Sequence, residues 1–162
     1  MLRIEKPSRY NTHLLLVEII WWVITILATY IIIYPISQSS HGYPFSKINA
    51  ISIITSITLF RYIFFLKYTF LAKRQSIKLV LVFLSIPLIF NMINNLNYFI
   101  TYIDEQSYDP FLGHLDLHKR PKWETYIKSE MLLFGVGSII SSIVFPFRMI
   151  LSIWRVKNRN TV

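Results

Sequence analysis

The chain has 162 residues, of which 54% are apolar and only 15% charged, with a mean hydropathy of +0.47. Soluble domains carry about 25% charged residues, so too few polar groups are present to cover a water-facing body of this size. There is no cysteine, which excludes disulfide frameworks, Cys-ligated zinc, iron–sulfur clusters and thiol redox chemistry.

Four apolar runs follow in chain order: 14–36, 48–66, 79–103 and 131–154. Roughly 20 residues rising about 1.5 Å each cross a hydrocarbon core of about 30 Å, so each run is long enough to span a bilayer. A helix bonds its backbone amides within one segment, as hydrocarbon requires. The expected fold class is therefore all-α: a polytopic membrane protein, a single domain built as a four-transmembrane-helix bundle. The first run outlasts a signal-peptide apolar region of about 7–15 residues and is expected to remain as an anchor helix.

The basic residues set an orientation. Arg3, Lys6 and Arg9, then Lys67, Lys73, Arg74 and Lys78, then Arg155, Lys157 and Arg159 fall on one side. The other side has half as many: Lys47, Lys119, Arg120, Lys122 and Lys128. The positive-inside rule puts both termini in the cytoplasm, and in a bacterium the membrane is the inner, plasma membrane. The net charge of +9 is then topogenic and attracts anionic lipid headgroups. The bases form no single patch interleaved with stacking aromatics, so no nucleic acid is expected as a partner.

Three charges lie inside the runs: Glu18, Arg61 and Arg148. Each sits within roughly 6–9 Å of the cytoplasmic boundary and at membrane depth needs a partner or a purpose. Glu18, Trp22, Thr25 and Thr29 form one polar stripe, and Gly137, Ser141 and Arg148 another. Glu18 is expected to meet Arg61, Arg148 or both as a register-fixing pair. The alternative use is an anion or substrate site on the surplus guanidinium.

The third run contains Pro87 and then an asparagine-rich outer half, Asn91-Met92-Ile93-Asn94-Asn95-Leu96-Asn97-Tyr98. Asn91, Asn94, Asn95 and Tyr98 lie close to one face, either as interhelical glue or as the lining of an outer vestibule. The fourth run carries the small-residue pairs Gly137/Ser141 and Ser138/Ser142, which predict a close helix contact within the bundle or between copies.

The remaining connection, 104–130, is expected to be one longer extracytoplasmic loop. Its acidic start (Asp104, Glu105, Asp109) can fold onto its basic middle (Lys119, Arg120, Lys122). In an extended segment His114, Asp116 and His118 project to one side and form a candidate divalent-metal triad; no other cofactor is expected. There is no P-loop, GxGxxG or HExxH pattern, and no histidine or aspartate pair within the spans. The leading reading is a non-enzymatic subunit, anchor or assembly factor, partnered by other membrane subunits or by its own copies. A channel, transporter or lipid-handling protein using the Glu18/Arg61/Arg148 layer comes second. A metal-dependent enzyme on the outer loop comes last.

Overall fold

The computed structural model describes residues 9–159, so Arg3 and Lys6, used above for orientation, lie outside the described residues. Five α-helices follow in order: α1 (Arg9–Ser39), α2 (Ser46–Phe65), α3 (Gln75–Gln106), the single turn α4 (Asp109–Leu112) and α5 (Arg120–Arg159). Two 3-10 turns, Leu66–Tyr68 and Phe70–Lys73, join α2 to α3, and no strand occurs among the described residues. Four of the helices are long and apolar enough to cross a membrane.

Three of the four long helices, α1, α3 and α5, outrun at both ends the apolar run that announced them, because a helix does not stop where hydropathy falls. Pro35 costs α1 one backbone bond, yet the helix continues to Ser39. Hydroxyls help there: Ser37 Oγ donates to the Tyr34 carbonyl (2.8 Å) and Ser40 Oγ to the Ile36 carbonyl (2.6 Å). Gly42, at φ +65°, supplies the left-handed residue of the turn into α2.

The largest difference from expectation lies in residues 104–130. These are not one long loop: α3 runs on to Gln106, α4 follows, and α5 begins at Arg120, eleven residues before the expected start at 131. The reason is local. Proline is favoured in a first helical turn, and Pro121 stands there. The amides of Lys119 and Arg120 bond the Asp116 carbonyl at 2.9 and 3.1 Å. Trp123, Ile127 and Met131 then present one apolar side to the core. Within the same connection Arg120 pairs with Asp109, and its Nε donates to Glu124 at 2.7 Å.

The four long helices are not equivalent. α5 packs against both α2 and α3, whereas α1 lies mainly along α2. The small residues of α5 set the closeness of these contacts. A Cβ on Gly137 would stand 2.8 Å from Ser56 Oγ of α2, and one on Gly135 would stand 2.8 Å from Leu96 Cδ1 of α3. Ser138, Ser141 and Ser142 are fully buried. The small-residue face is therefore used within the chain, and none of these three serines lies on an outward surface.

Apolar packing gathers at two ends. At the loop end, Ile36, Phe45, Phe99, Phe111, Ile127 and Met131 form one cluster; at the end carrying the chain termini, Leu59, Leu66, Leu71, Phe145 and Met149 form another. Between and around them the long helices face outward. Only 11% of the most apolar stretch of α1 is buried, and 17–33% of the corresponding stretches of the other three.

Candidate functional site

Besides the buried serines along the helices, two sets of buried polar groups contain ionisable side chains, one at each end. At the terminal end α1 is held to α2 by charge. Arg61 Nη2 donates to Glu18 Oε2 at 2.5 Å, and the Tyr62 hydroxyl donates to Glu18 Oε1 at 2.5 Å. Glu18 is 17% exposed and Arg61 5%. The guanidinium carbon lies 5.5 Å from the Trp21 ring centre and 5.2 Å from that of Tyr62, so two aromatic faces cover the cation. Residues Glu18 and Trp21 share a face of α1 by their three-residue spacing, and Arg61 and Tyr62 are the matching pair on α2. Farther along that face Thr25 and Thr29 are buried with their hydroxyls bonded to carbonyls one turn back, at 2.8 Å each.

Arg148 does not join this pair. Its Nε donates to the Ile63 carbonyl at 3.0 Å. The last four carbonyls of a helix lack helical donors, and α2 ends at Phe65, so Arg148 of α5 completes the C-terminus of α2. Lys78 does comparable work nearby. Counted above among the bases of the 67–78 connection, it is fully buried. Its Nζ donates to the Ala72 carbonyl (2.7 Å), to Ser152 Oγ (2.8 Å) and to Gln75 Oε1 (3.3 Å). Lys78 thereby ties the 3-10 turns and α3 to α5. The expected layer of three charges is thus one ion pair and a separate arginine, and Lys78 is a member that hydropathy did not reveal, because it was counted with Lys67, Lys73 and Arg74 in the connection before the third apolar run.

At the loop end the structure brings together residues that the sequence reading did not combine. Asn49 of α2, fully buried, donates from Nδ2 to Glu130 Oε2 of α5 at 2.6 Å. Glu130 is 6% exposed. The Tyr43 hydroxyl lies beside Asn49, Glu130 and Tyr108 without completing a hydrogen bond. Burial, then the carboxylate of Glu130, raises the Tyr43 phenol above its ordinary value, and burial also raises that of Tyr108, so both stay protonated. Aromatic rings close over the cluster: Phe45 meets Phe99 at 5.1 Å and Tyr102 at 5.0 Å, and Phe111 meets Tyr43 at 5.5 Å and Tyr108 at 5.8 Å. Glu130 was legible in principle. Extending the α5 stripe backwards by helical steps, from Phe134 through Met131 to Ile127, puts position 130 on the same side.

The other sequence candidates take different places. Asn91, Asn94 and Tyr98 are exposed and Asn95 is half-buried on the outward side of α3. Asn95 Nδ2 donates to Asn91 Oδ1 at 2.9 Å. Asn94 and Asn97 have no side-chain partner among the described residues. The His114/Asp116/His118 segment forms turns rather than an extended strand. Asp116 pairs with Lys119 at 3.7 Å, and the His114 ring stands edge-on to His41 at 4.0 Å. Among the described residues no three His, Asp or Glu side chains gather as a metal-binding group, so the triad is not assembled here. Two apolar grooves open between helices. One, of about 360 Å³, runs between α1 and α2 past Ile26, Tyr30 and Ile54; the other, of about 470 Å³, lies by Pro35, Trp123 and Tyr126.

These features define an all-helical chain with four potential membrane-spanning helices and polar groups that join its helices from within. Compared with protein-family models, curated proteins and solved structures, the chain matches none.

Proposed function

We propose that the chain is a non-enzymatic integral membrane subunit that assembles side by side with another membrane polypeptide through the asparagine face of α3. Its four long helices span the bilayer with both termini in the cytoplasm and the connection between α3 and α5 outside, as the basic-residue bias supports. In a bacterium this membrane is the inner, plasma membrane. Lys67 and Arg74 of the 67–78 turn, with Arg155 and Lys157 of the C-terminal tail, then lie against anionic headgroups.

The observation that carries the reading is the exposure of Asn91 and Asn94 midway along α3. Asn91 is about 24 Å from either end of this helix, and its short side chain cannot reach an interface. Toward the start of α3 the exposed surface is apolar, with Leu79, Val80, Phe83, Leu84, Ile86 and Phe90. Asn91 keeps one partner on its own helix, Asn95, and Asn94 has none among the described residues; an amide moved from water to hydrocarbon without a partner costs about 4–8 kcal/mol, which a polar helix alongside removes. Measured bonds between membrane helices average about 0.6 kcal/mol, so a row of amides, rather than one, is what makes such a contact stable. The fate of the charges supports the same class. Glu18 and Arg61 neutralise each other and Arg148 completes a helix end, which is structural work and leaves no free carboxylate in that layer for transport.

The test is the size of the particle extracted into native-membrane nanodiscs, with and without Asn91→Leu/Asn94→Leu. The expected result is an assembly larger than one chain for the wild type, and single chains of unchanged melting temperature for the double variant. A wild-type particle of one chain, or an assembly indifferent to the two leucines, removes the proposal.

A further inference from the structure

Six buried side-chain polar atoms lack a hydrogen-bond partner among the described residues, and four of them belong to the loop-end cluster: Tyr43 Oη, Asn49 Oδ1, Tyr108 Oη and Glu130 Oε1. Such concentration is uncommon, since most buried polar atoms are satisfied. The four come from four different segments: the turn before α2, α2 itself, the connection between α3 and α4, and α5. No Lys, Arg or His among the described residues forms an ion pair with Glu130. Among the described residues its single hydrogen-bond donor is the Asn49 amide, which orients one oxygen of the carboxylate and leaves the other without a partner.

The chemistry of the set is specific. All four atoms are hard oxygens: one carboxylate, one amide carbonyl and two phenols. Sulfur and imidazole ligands are absent from it, which disfavours zinc and the later transition metals. Calcium takes 6–8 oxygens, usually from several carboxylates, and this cluster has one acid. A single negative charge among four oxygens matches a small monovalent cation. Asn49 donates from Nδ2 to Glu130 Oε2, its Oδ1 meets no donor among the described residues, and the protonated phenols keep lone pairs to offer.

We propose that Tyr43, Asn49, Tyr108 and Glu130 form a binding site for a small monovalent cation of the sodium class, which neutralises Glu130 and pins together the four segments at the loop end. The site is separate from the α3 face and from the terminal-end ion pair. Because it joins the turn before α2 and the α3–α4 connection to α2 and α5, occupancy is read as stability of the whole chain.

The experiment is the thermal unfolding of the detergent-purified full chain in sodium, lithium, potassium and N-methylglucamine chlorides at one ionic strength and pH. Sodium is expected to raise the melting temperature by about 4 °C over N-methylglucamine when in tenfold excess of its dissociation constant, with a saturating dependence on concentration. Glu130→Gln keeps the Asn49 contact but removes the charge, and is expected to lose the sodium response. Tyr108→Phe, which keeps the ring packing on Phe111, is expected to shift the midpoint to severalfold higher sodium and serves should the Glu130 variant not fold. Equal melting temperatures in all four salts overturn the site and leave water as its occupant. A stability that follows pH but not sodium overturns it in favour of a proton, and a sodium response unchanged in both variants places the ion elsewhere.

Discussion

The two ends of the molecule handle buried charge in opposite ways. At the terminal end cations dominate, and the chain supplies their acceptors: Glu18 for Arg61, the Ile63 carbonyl for Arg148, and the Ala72 carbonyl with Ser152 for Lys78. At the loop end a single acid, Glu130, meets one amide and two phenols whose oxygens are not all used. Helix C-termini offer spare carbonyls, so a basic side chain buried near them finds partners at no further cost in sequence. A carboxylate needs donors instead. Glu130 lies ten residues inside α5, where the backbone N–H groups are already spent on the helix. The terminal end thus leaves one of these polar atoms, Arg61 Nε, without a partner among the described residues, while the loop end leaves four.

Substitutions sharpen that contrast, and the largest effect is expected at the terminal end. Arg61→Leu leaves Glu18 and the Tyr62 hydroxyl facing an apolar group and should cost about 3 kcal/mol, measured as loss of thermal stability in detergent. Reversing the pair, Glu18→Arg with Arg61→Glu, should recover part of it; a reversal no better than the single change means the pair is not what joins α1 to α2. Lys78→Met keeps the volume but strands the Ala72 carbonyl and Ser152, at an expected cost of about 2 kcal/mol. Unchanged stability there shows that water replaces the ammonium, and that this end is less closed than its hydrogen bonds indicate.

Gly137→Leu tests the middle of the molecule, where both ends depend on the approach of α2 to α5. A Cβ already meets Ser56 Oγ at 2.8 Å, so the larger side chain should push the helices apart at about 2 kcal/mol. Cysteine pairs introduced across α2 and α5 should then crosslink more slowly, and an unaltered rate contradicts the close contact. The smallest effect is expected at the loop end and has the opposite sign. Ser107, which positions Tyr108, has φ 57°, a region that glycine enters without penalty. Ser107→Gly should stabilise the chain by about 1 kcal/mol, and a loss of stability instead indicates that the serine side chain holds the connection.

Much of this architecture was legible from composition and spacing. The four apolar runs, the three embedded charges and the shared depth of Glu18 and Arg61 follow from hydropathy and a 1.5 Å rise. The start of α5 was not, because Arg120, Lys122, Glu124 and Lys128 lower the hydropathy of a segment that is helical for a different reason, its Pro121 start and its 123/127/131 apolar stripe. That error placed Glu130 outside the span and hid the loop-end cluster. Lys78 was hidden likewise, since a lysine after Lys73 and Arg74 reads as surface charge until α5 is seen to bring Ser152 against it.

What the sequence determined by itself is the solvent this chain suits and the number of rods it forms, because these depend on the local density of apolar groups and on backbone bonding within each segment. Which side chains meet was decided only by the tertiary structure. Arg61 rather than Arg148 takes Glu18, Asn49 takes Glu130, and the small residues of α5 turn inward, leaving the asparagines of α3 outward. The physical reason is that helical periodicity fixes the relative angle of residues on one rod, whereas the rotation and depth of neighbouring rods depend on steric fit along their whole length.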